Sequence, residues 1–255
     1  MNIILSVESY KGVDGSSLSP TRCSQMVQVY EMLDELGSKV ITYVDIQEEA
    51  QRRKLFGQTQ AKSAIRTFFP LLKKLDFVDY DGAFAANMCF TELGTQFVLA
   101  CRALENVTDD TPHKDEIIAR LKSIKRNAQK KGLVNMYNDP EWKSHNIWIA
   151  LKLLKEFRVL HWNEFLYTLH CIEIGESVDK AIEKIKENPN KIDNITFLND
   201  NGEVLPNTCY SYIRSFLEEA GLISKVSKLK SKLLEEGETF YSQISIKLWV
   251  YMIQT

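Results

Sequence analysis

Apolar positions fall into helix-spaced runs separated by short β-branched stretches. After Ser19-Pro20, which opens a helix, Met26, Val29, Tyr30, Leu33 and Leu36 recur at helical spacing until Gly37 stops it. Val40 to Tyr43 is short and β-prone. Asp45 is the expected cap of a second helix over roughly 46–55, which Gly57 ends. A third helix is expected from Thr59 to Lys74, with a kink or restart at Pro70, which has no amide hydrogen to give. Phe77 to Tyr80 and Met88 to Thr91 read as two strands joined through Asp81-Gly82, and 94–105 returns to helix.

Part of this arrangement occurs twice. Residues 65–80 (IRTFFPLLKKLDFVDY) and 90–98 (FTELGTQFV) correspond to 210–223 (YSYIRSFLEEAGLI) and 233–241 (LLEEGETFY). The offsets are nearly constant, 145 positions from Leu71 to Phe216 and 143 from Gly94 to Gly237. A repeat constrains architecture before any local assignment. Each copy runs from an apolar helix into a β-prone stretch and across a polar gap to a strand-like pair. An acidic residue, a glycine and an aromatic follow. This order resembles the third helix, wing and post-wing helix of a winged helix-turn-helix domain.

Between the copies, residues 106–200 carry no β pattern. They show a charge-dense helix over 113–131, an apolar helix over 145–157, a helix capped by Asn163, and one opened by Glu176-Ser177 and closed by Asn188-Pro189. The expected fold is therefore mainly α with small β wings. Two winged-helix units, 1–106 and 201–255, are joined by a helical connector over 107–200.

Composition adds limits. Hydrophobic residues at 44% and charged residues at 26% suit a globular chain with a core. A net charge of −2 is unlike that of a tail-type DNA binder but leaves room for a local basic face. Cys23, Cys89, Cys101, Cys171 and Cys209 show no CxxC spacing and read as reduced thiols. The N-terminus lacks a signal-peptide pattern and no stretch reaches membrane-spanning length, so a soluble, cytoplasmic protein is expected.

In a winged helix the third helix enters the major groove and its N-terminal half reaches base edges. The candidates are Gln58, Thr59, Gln60, Lys62, Ser63, Arg66 and Thr67 in the first copy. In the second they are Thr208, Tyr210, Ser211, Tyr212 and Arg214, preceded by Asn207. Gln and Arg can pair bidentately with adenine and guanine edges. Lys225, Lys228, Lys230 and Lys232 fill the second wing, Arg52, Arg53 and Lys54 precede the first reading helix, and 113–131 adds seven more cations. Such groups neutralise phosphates without reading sequence. The competing explanation is that these are solvated helix faces. For catalysis, Glu141-Trp142-Lys143 after Asp139 mimics half of a metal-dependent nuclease site but follows a turn-forming Asn-Asp-Pro. No phosphate-binding loop or nucleophile elbow is present, and no cofactor is expected.

The turns FTELG and LLEEG, the segment LKLLKEFRVLHWNEFLYTLHCIEI and the helix DKAIEKIKENPN resemble the DNA-recognition half of type IIS restriction endonucleases. Members of that family place a metal-dependent nuclease domain after this region. The present chain ends at Thr255 with no room for one, so cleavage is not expected to carry over. The resemblance implies a non-enzymatic, sequence-specific double-stranded DNA binder serving restriction or defence. It leaves a separate nuclease or methyltransferase as candidate partner. A winged-helix scaffold for protein interaction is the alternative; it would gain if Lys62 and Arg66 were buried or paired with Glu48, Glu49 or Asp76. A nuclease site around 139–143 is the third reading.

Overall fold

A computed structural model describes residues 3–7, 18–57, 60–138, 146–192, 194–199, 201–205 and 208–254. The chain divides into two compact units, 14–142 and 1–13 together with 143–255. It is mainly helical with small sheets. In chain order, β1 (Ile3–Ser6) precedes the first unit. That unit contains α1 (Pro20–Leu36), β2 (Val40–Thr42), α2 (Tyr43–Arg52), α3 (Ala61–Lys74), β3 (Ala83–Ala85), α4 (Glu92–Glu105) and α5 (Lys114–Asn138). The rest comprises α6 (Asn146–Phe157), β4 (Val159–His161), α7 (Trp162–Glu173), α8 (Val178–Glu187), α9 (Pro189–Ile192) and β5 (Ile195–Leu198). It closes with α10 (Thr208–Glu219), β6 (Ile223–Lys225), β7 (Lys230–Leu233) and α11 (Glu235–Gln254). The boundaries expected at 106 and 200 do not coincide with this division. α5 belongs with 14–142, and α6 to α8 belong with α10.

In the 14–142 unit, Ser19 accepts from the Arg22 amide and Pro20 stands at the helix start, so α1 begins where the sequence places it. The cap of α2 is Thr42 rather than Asp45. Thr42 Oγ1 accepts from the Asp45 amide at 3.4 Å, and the Asp45 carboxylate accepts from the Thr42 amide at 2.8 Å. α3 runs through Pro70 without a break. Pro70 has no N–H for the Arg66 carbonyl. Ile65, Phe68, Phe69, Leu71 and Leu72 are all buried, and that packing holds the helix. The expected hairpin is reduced to a Val78–Phe90 bridge with backbone bonds from Asp79 to Cys89 and from Thr91 to Phe77. The regular strand is β3, in the expected hairpin tip, and it pairs antiparallel with β2.

The other unit has the helix–strand–helix start α6–β4–α7. His161 and Glu164 form the capping pair, with the Glu164 carboxylate accepting from the His161 amide at 2.6 Å. Asn163, the expected cap, is buried and donates to the Ile192 carbonyl at 3.1 Å. β4 pairs antiparallel with β7, and β7 with β6, giving the order β4-β7-β6. β1 pairs in parallel with β5, Ile3 facing Ile195 through Ser6 facing Leu198. β4 and β5 overturn the expectation that 106–200 is free of strands. β4 has three residues, and β5 pairs with the far end of the sequence, so neither leaves a local alternation to read.

The repeat is visible in the ending of α3 and α10. Leu75 and Ala220 donate to Leu71 and Phe216 at 3.0 and 3.1 Å, and Phe77 and Leu222 donate to Leu72 and Leu217 at 2.8 and 2.9 Å. Between them Asp76 (φ 58°) and Gly221 (φ 74°) adopt the left-handed conformation of a helix C-terminus. Leu71, Leu72, Leu75 and Phe77 are buried, as are Phe216, Leu217, Ala220 and Leu222. Each fully buried large apolar side chain contributes roughly 1.5–3 kcal/mol relative to exposure.

Candidate nucleic-acid interface

The β6–β7 ribbon is a basic feature without a single acidic residue. Residues 223–234 hold four lysines and no acid. Along β7 exposure alternates, with Lys230 and Lys232 exposed and Ser231 and Leu233 buried. The two-residue period of a strand therefore sets both lysines on the outer face. Lys225 ends β6 and Lys228 lies in the connecting loop, and both are exposed. No ion pair to another described residue neutralises these four lysines.

Arg214, expected to read a base edge, points elsewhere. From α10, its Nη1 donates to the carbonyls of Ser227 at 3.2 Å and Lys228 at 2.5 Å. The Val226 and Ser227 amides donate to the Lys230 carbonyl at 3.0 and 3.1 Å, closing the loop. Hydrogen bonds from a charged donor are among the stronger ones. Arg214 thus acts as a strut that fixes the lysine loop against the helix. Thr208, Tyr210, Ser211 and Tyr212 lie on the first turns of α10, and their side chains, like Asn207, lie outside the described residues.

α3 presents a different surface. Gln60 precedes it and makes no capping bond, and Gln60, Ser63 and Arg66 are exposed. Lys62 Nζ donates to Glu48 at 2.6 Å, and Arg66 Nε donates to the side-chain oxygen of Gln47 at 2.7 Å. Thr67 Oγ1 is turned back to the Ser63 carbonyl at 2.9 Å. Gln58 and Thr59 lie outside the described residues. Arg52 and Arg53 both bind Glu49, and Arg53 also pairs with Glu35. Those hydrogen bonds, Arg52 first and Arg53 second, hold the Glu49 carboxyl down at about 2. The loop after α3 carries Asp79 and Asp81, the latter paired with Lys73, and exposes Met88. Its charge is opposite to that of the β6–β7 loop.

On α5, Lys114 is paired with Asp109 at 2.5 Å, whereas Arg120, Lys122, Arg126 and Lys131 are exposed. The Asp139–Lys143 segment lies outside the described residues. Among the described residues no group of three His, Cys, Asp or Glu is placed to hold a metal ion. Cys23, Cys89, Cys101 and Cys171 are buried and form no disulfide, and burial pushes the Cys89 thiol up to about 12, out of the nucleophilic range. Among the described residues no helix is long and apolar enough to cross a membrane. Comparison of the chain with protein-family models, with curated proteins and with solved structures finds no match.

Proposed function

We propose that the protein is a non-enzymatic double-stranded DNA-binding protein built from two winged-helix units, in which the β6–β7 ribbon is the principal phosphate contact. What carries this reading is the set of four exposed lysines on a ribbon strutted from α10 by Arg214. Two further features support it. Each unit has a helix–strand–helix start whose strand pairs with one that follows the counterpart helix, β2 with β3 and β4 with β7; only the second adds a further strand, β6, to make a ribbon. The shared ending of α3 and α10 makes the two helices counterparts. α10 would then be the groove-reading helix, with Tyr210, Ser211 and Tyr212 near the bases and Arg214 holding the wing. Gln60, Ser63 and Arg66 would be the readers on α3. The likeness to type IIS recognition regions suggests a role in restriction or defence beside a separate nuclease or methyltransferase. The test is fluorescence anisotropy with a labelled random duplex, followed by selection of bound duplexes from a random pool. Saturable binding and an asymmetric motif support the proposal; no binding at low salt contradicts it.

A protein-interaction scaffold is favoured by the surface of the 14–142 unit alone. Lys62 is bound to Glu48, Arg66 is tied to Gln47, and the loop after α3 is acidic with Met88 exposed. Those features suit a protein surface better than a phosphate backbone. Under this second reading only the other unit would bind DNA.

A further inference from the structure

The two units differ in what separates their second and third helices. α2 reaches α3 through residues 53–60, whereas α8, α9 and β5 stand between α7 and α10, and β1 is added to β5 from the start of the chain. These additional elements line, with α7, a half-open pocket of about 360 Å³. Its apolar wall is largely aliphatic, from Ile3 and Leu5 of β1, Ile195 of β5, and Ile174 and Ile192, beside Tyr167 and Cys171 of α7. His170 ties α7 to β1, its Nδ1 lying 2.8 Å from the Ser6 carbonyl oxygen. A carbonyl only accepts, so Nδ1 carries the proton of that bond.

Among the described residues, Lys184 is the charged side chain that lines the pocket. Lys184 Nζ donates to both carboxylate oxygens of Glu176 at 2.6 Å. Lys180 reaches the same carboxylate at 3.1 Å. Two ammonium groups therefore share one carboxylate, and the group keeps a net positive charge that a ligand anion can meet. If Lys184 turns to that anion, Glu176 still keeps Lys180, so no charge is left unpaired. Tyr167 is engaged with the Cys171 thiol; Asn188 and His170 also line the pocket, and Lys184 is the charged donor beside them. Ligand pockets of this kind, mostly apolar with a few convergent polar groups, span roughly 300–1,000 Å³. At about 30 Å³ of liquid volume per water, the cavity has room for roughly a dozen waters, which suits an acid of about six to eight carbons.

We propose that this cavity binds a small aliphatic monocarboxylate, its alkyl body against Ile3, Leu5, Ile174 and Ile195 and its carboxylate on Lys184. The proposal is independent of DNA binding. It is tested by isothermal titration calorimetry of the full chain with hexanoate and with hexanamide, the uncharged analogue of the same shape. Saturable hexanoate binding, at least about tenfold tighter than hexanamide, is expected from a charge-assisted contact. Lys184→Met should reduce hexanoate affinity to the level of the amide. Ile174→Trp, placed at a rim position that is 60% exposed and so tolerant of a larger side chain, should abolish binding by filling the cavity. Absence of saturable hexanoate binding, or equal affinity for acid and amide in the wild-type protein, overturns the proposal. Undiminished binding in both variants, each verified as folded by circular dichroism, overturns it as well.

Discussion

Gly94 and Gly237 stand at the same point of their units. Each is the third residue of a helix, and a Cβ at either would run into a backbone carbonyl oxygen, that of Phe77 or that of Leu222. Those two carbonyls belong to residues that follow the matching ends of α3 and α10, and they accept from the Thr91 and Leu234 amides at 3.1 and 3.0 Å. The glycine lets the post-ribbon helix sit directly on the backbone of the strand entry.

Gly94→Ala and Gly237→Ala should therefore each destabilise their own unit. Overpacking against backbone costs about 1–3 kcal/mol or more, because backbone cannot rotate away as a side chain can. Hydrogen exchange resolved by peptide checks this: Gly94→Ala should raise exchange in α3 and α4, and Gly237→Ala in α10 and α11. Unchanged melting and exchange in both variants would show that the close approach is not structural.

Arg214 should behave as a strut and not as a base reader. Arg214→Ala should speed exchange of the 223–233 amides and cost about 1 kcal/mol of local stability, the scale of a partly exposed charged hydrogen bond. Arg214→Lys keeps the charge but loses the planar fork, so it should not restore protection. Both variants should weaken every duplex by the same factor. A loss confined to one base position would return Arg214 to the role first expected of it.

Two ion-paired carboxylates predict an acid limb of stability. Glu49, held by Arg52 and Arg53, and Glu176, held by Lys184 and Lys180, have carboxyls lowered from 4.5 to about 2. A carboxyl lowered on folding contributes stability that is fully present above its unfolded value and is lost as pH falls through its folded value. Melting temperature should thus fall between pH 4.5 and 2. Glu49→Gln and Glu176→Gln should each flatten that fall while lowering stability at pH 7. A parallel fall in wild type and variants would assign the acid limb to other groups.

β1 should matter only to the unit it joins. Val7 is buried and donates to the Leu198 carbonyl at 2.9 Å, extending the four-residue pairing with β5. Deleting residues 1–7 should expose the 143–255 unit to limited proteolysis and leave 14–142 resistant. Equal protection of both units would contradict the pairing.

Much of the fold was legible because it is locally written. Leu71, Leu72, Phe216 and Leu217 show the helical period, and Gly94 and Gly237 mark the same turn at nearly the same offset. The capping residues were displaced because Thr42 and Asp45 each supply half of a reciprocal pair, and both types are good caps. β4, β5 and the role of β1 were not legible, since their pairing depends on partners far off in sequence. At the site, the lysine run of 225–232 could be read directly. The diversion of Lys62 to Glu48, of Arg66 to Gln47 and of Arg214 to two carbonyls could not, because each is decided by how α2, α3, α10 and the loop pack. A donor-rich helix face read from sequence therefore overstates the side chains left without partners inside the protein.

The salt dependence of duplex binding tests the lysine ribbon most directly. Affinity for a random duplex should be measured between 50 and 200 mM salt, for the wild type and for a variant with Lys228 and Lys230 both replaced by Gln. Each phosphate contact contributes about −0.9 to the slope of log K against log salt, so the variant's slope should be shallower by about 2. A flat wild-type slope, or one that the variant leaves unchanged, would contradict phosphate contact by the β6–β7 ribbon.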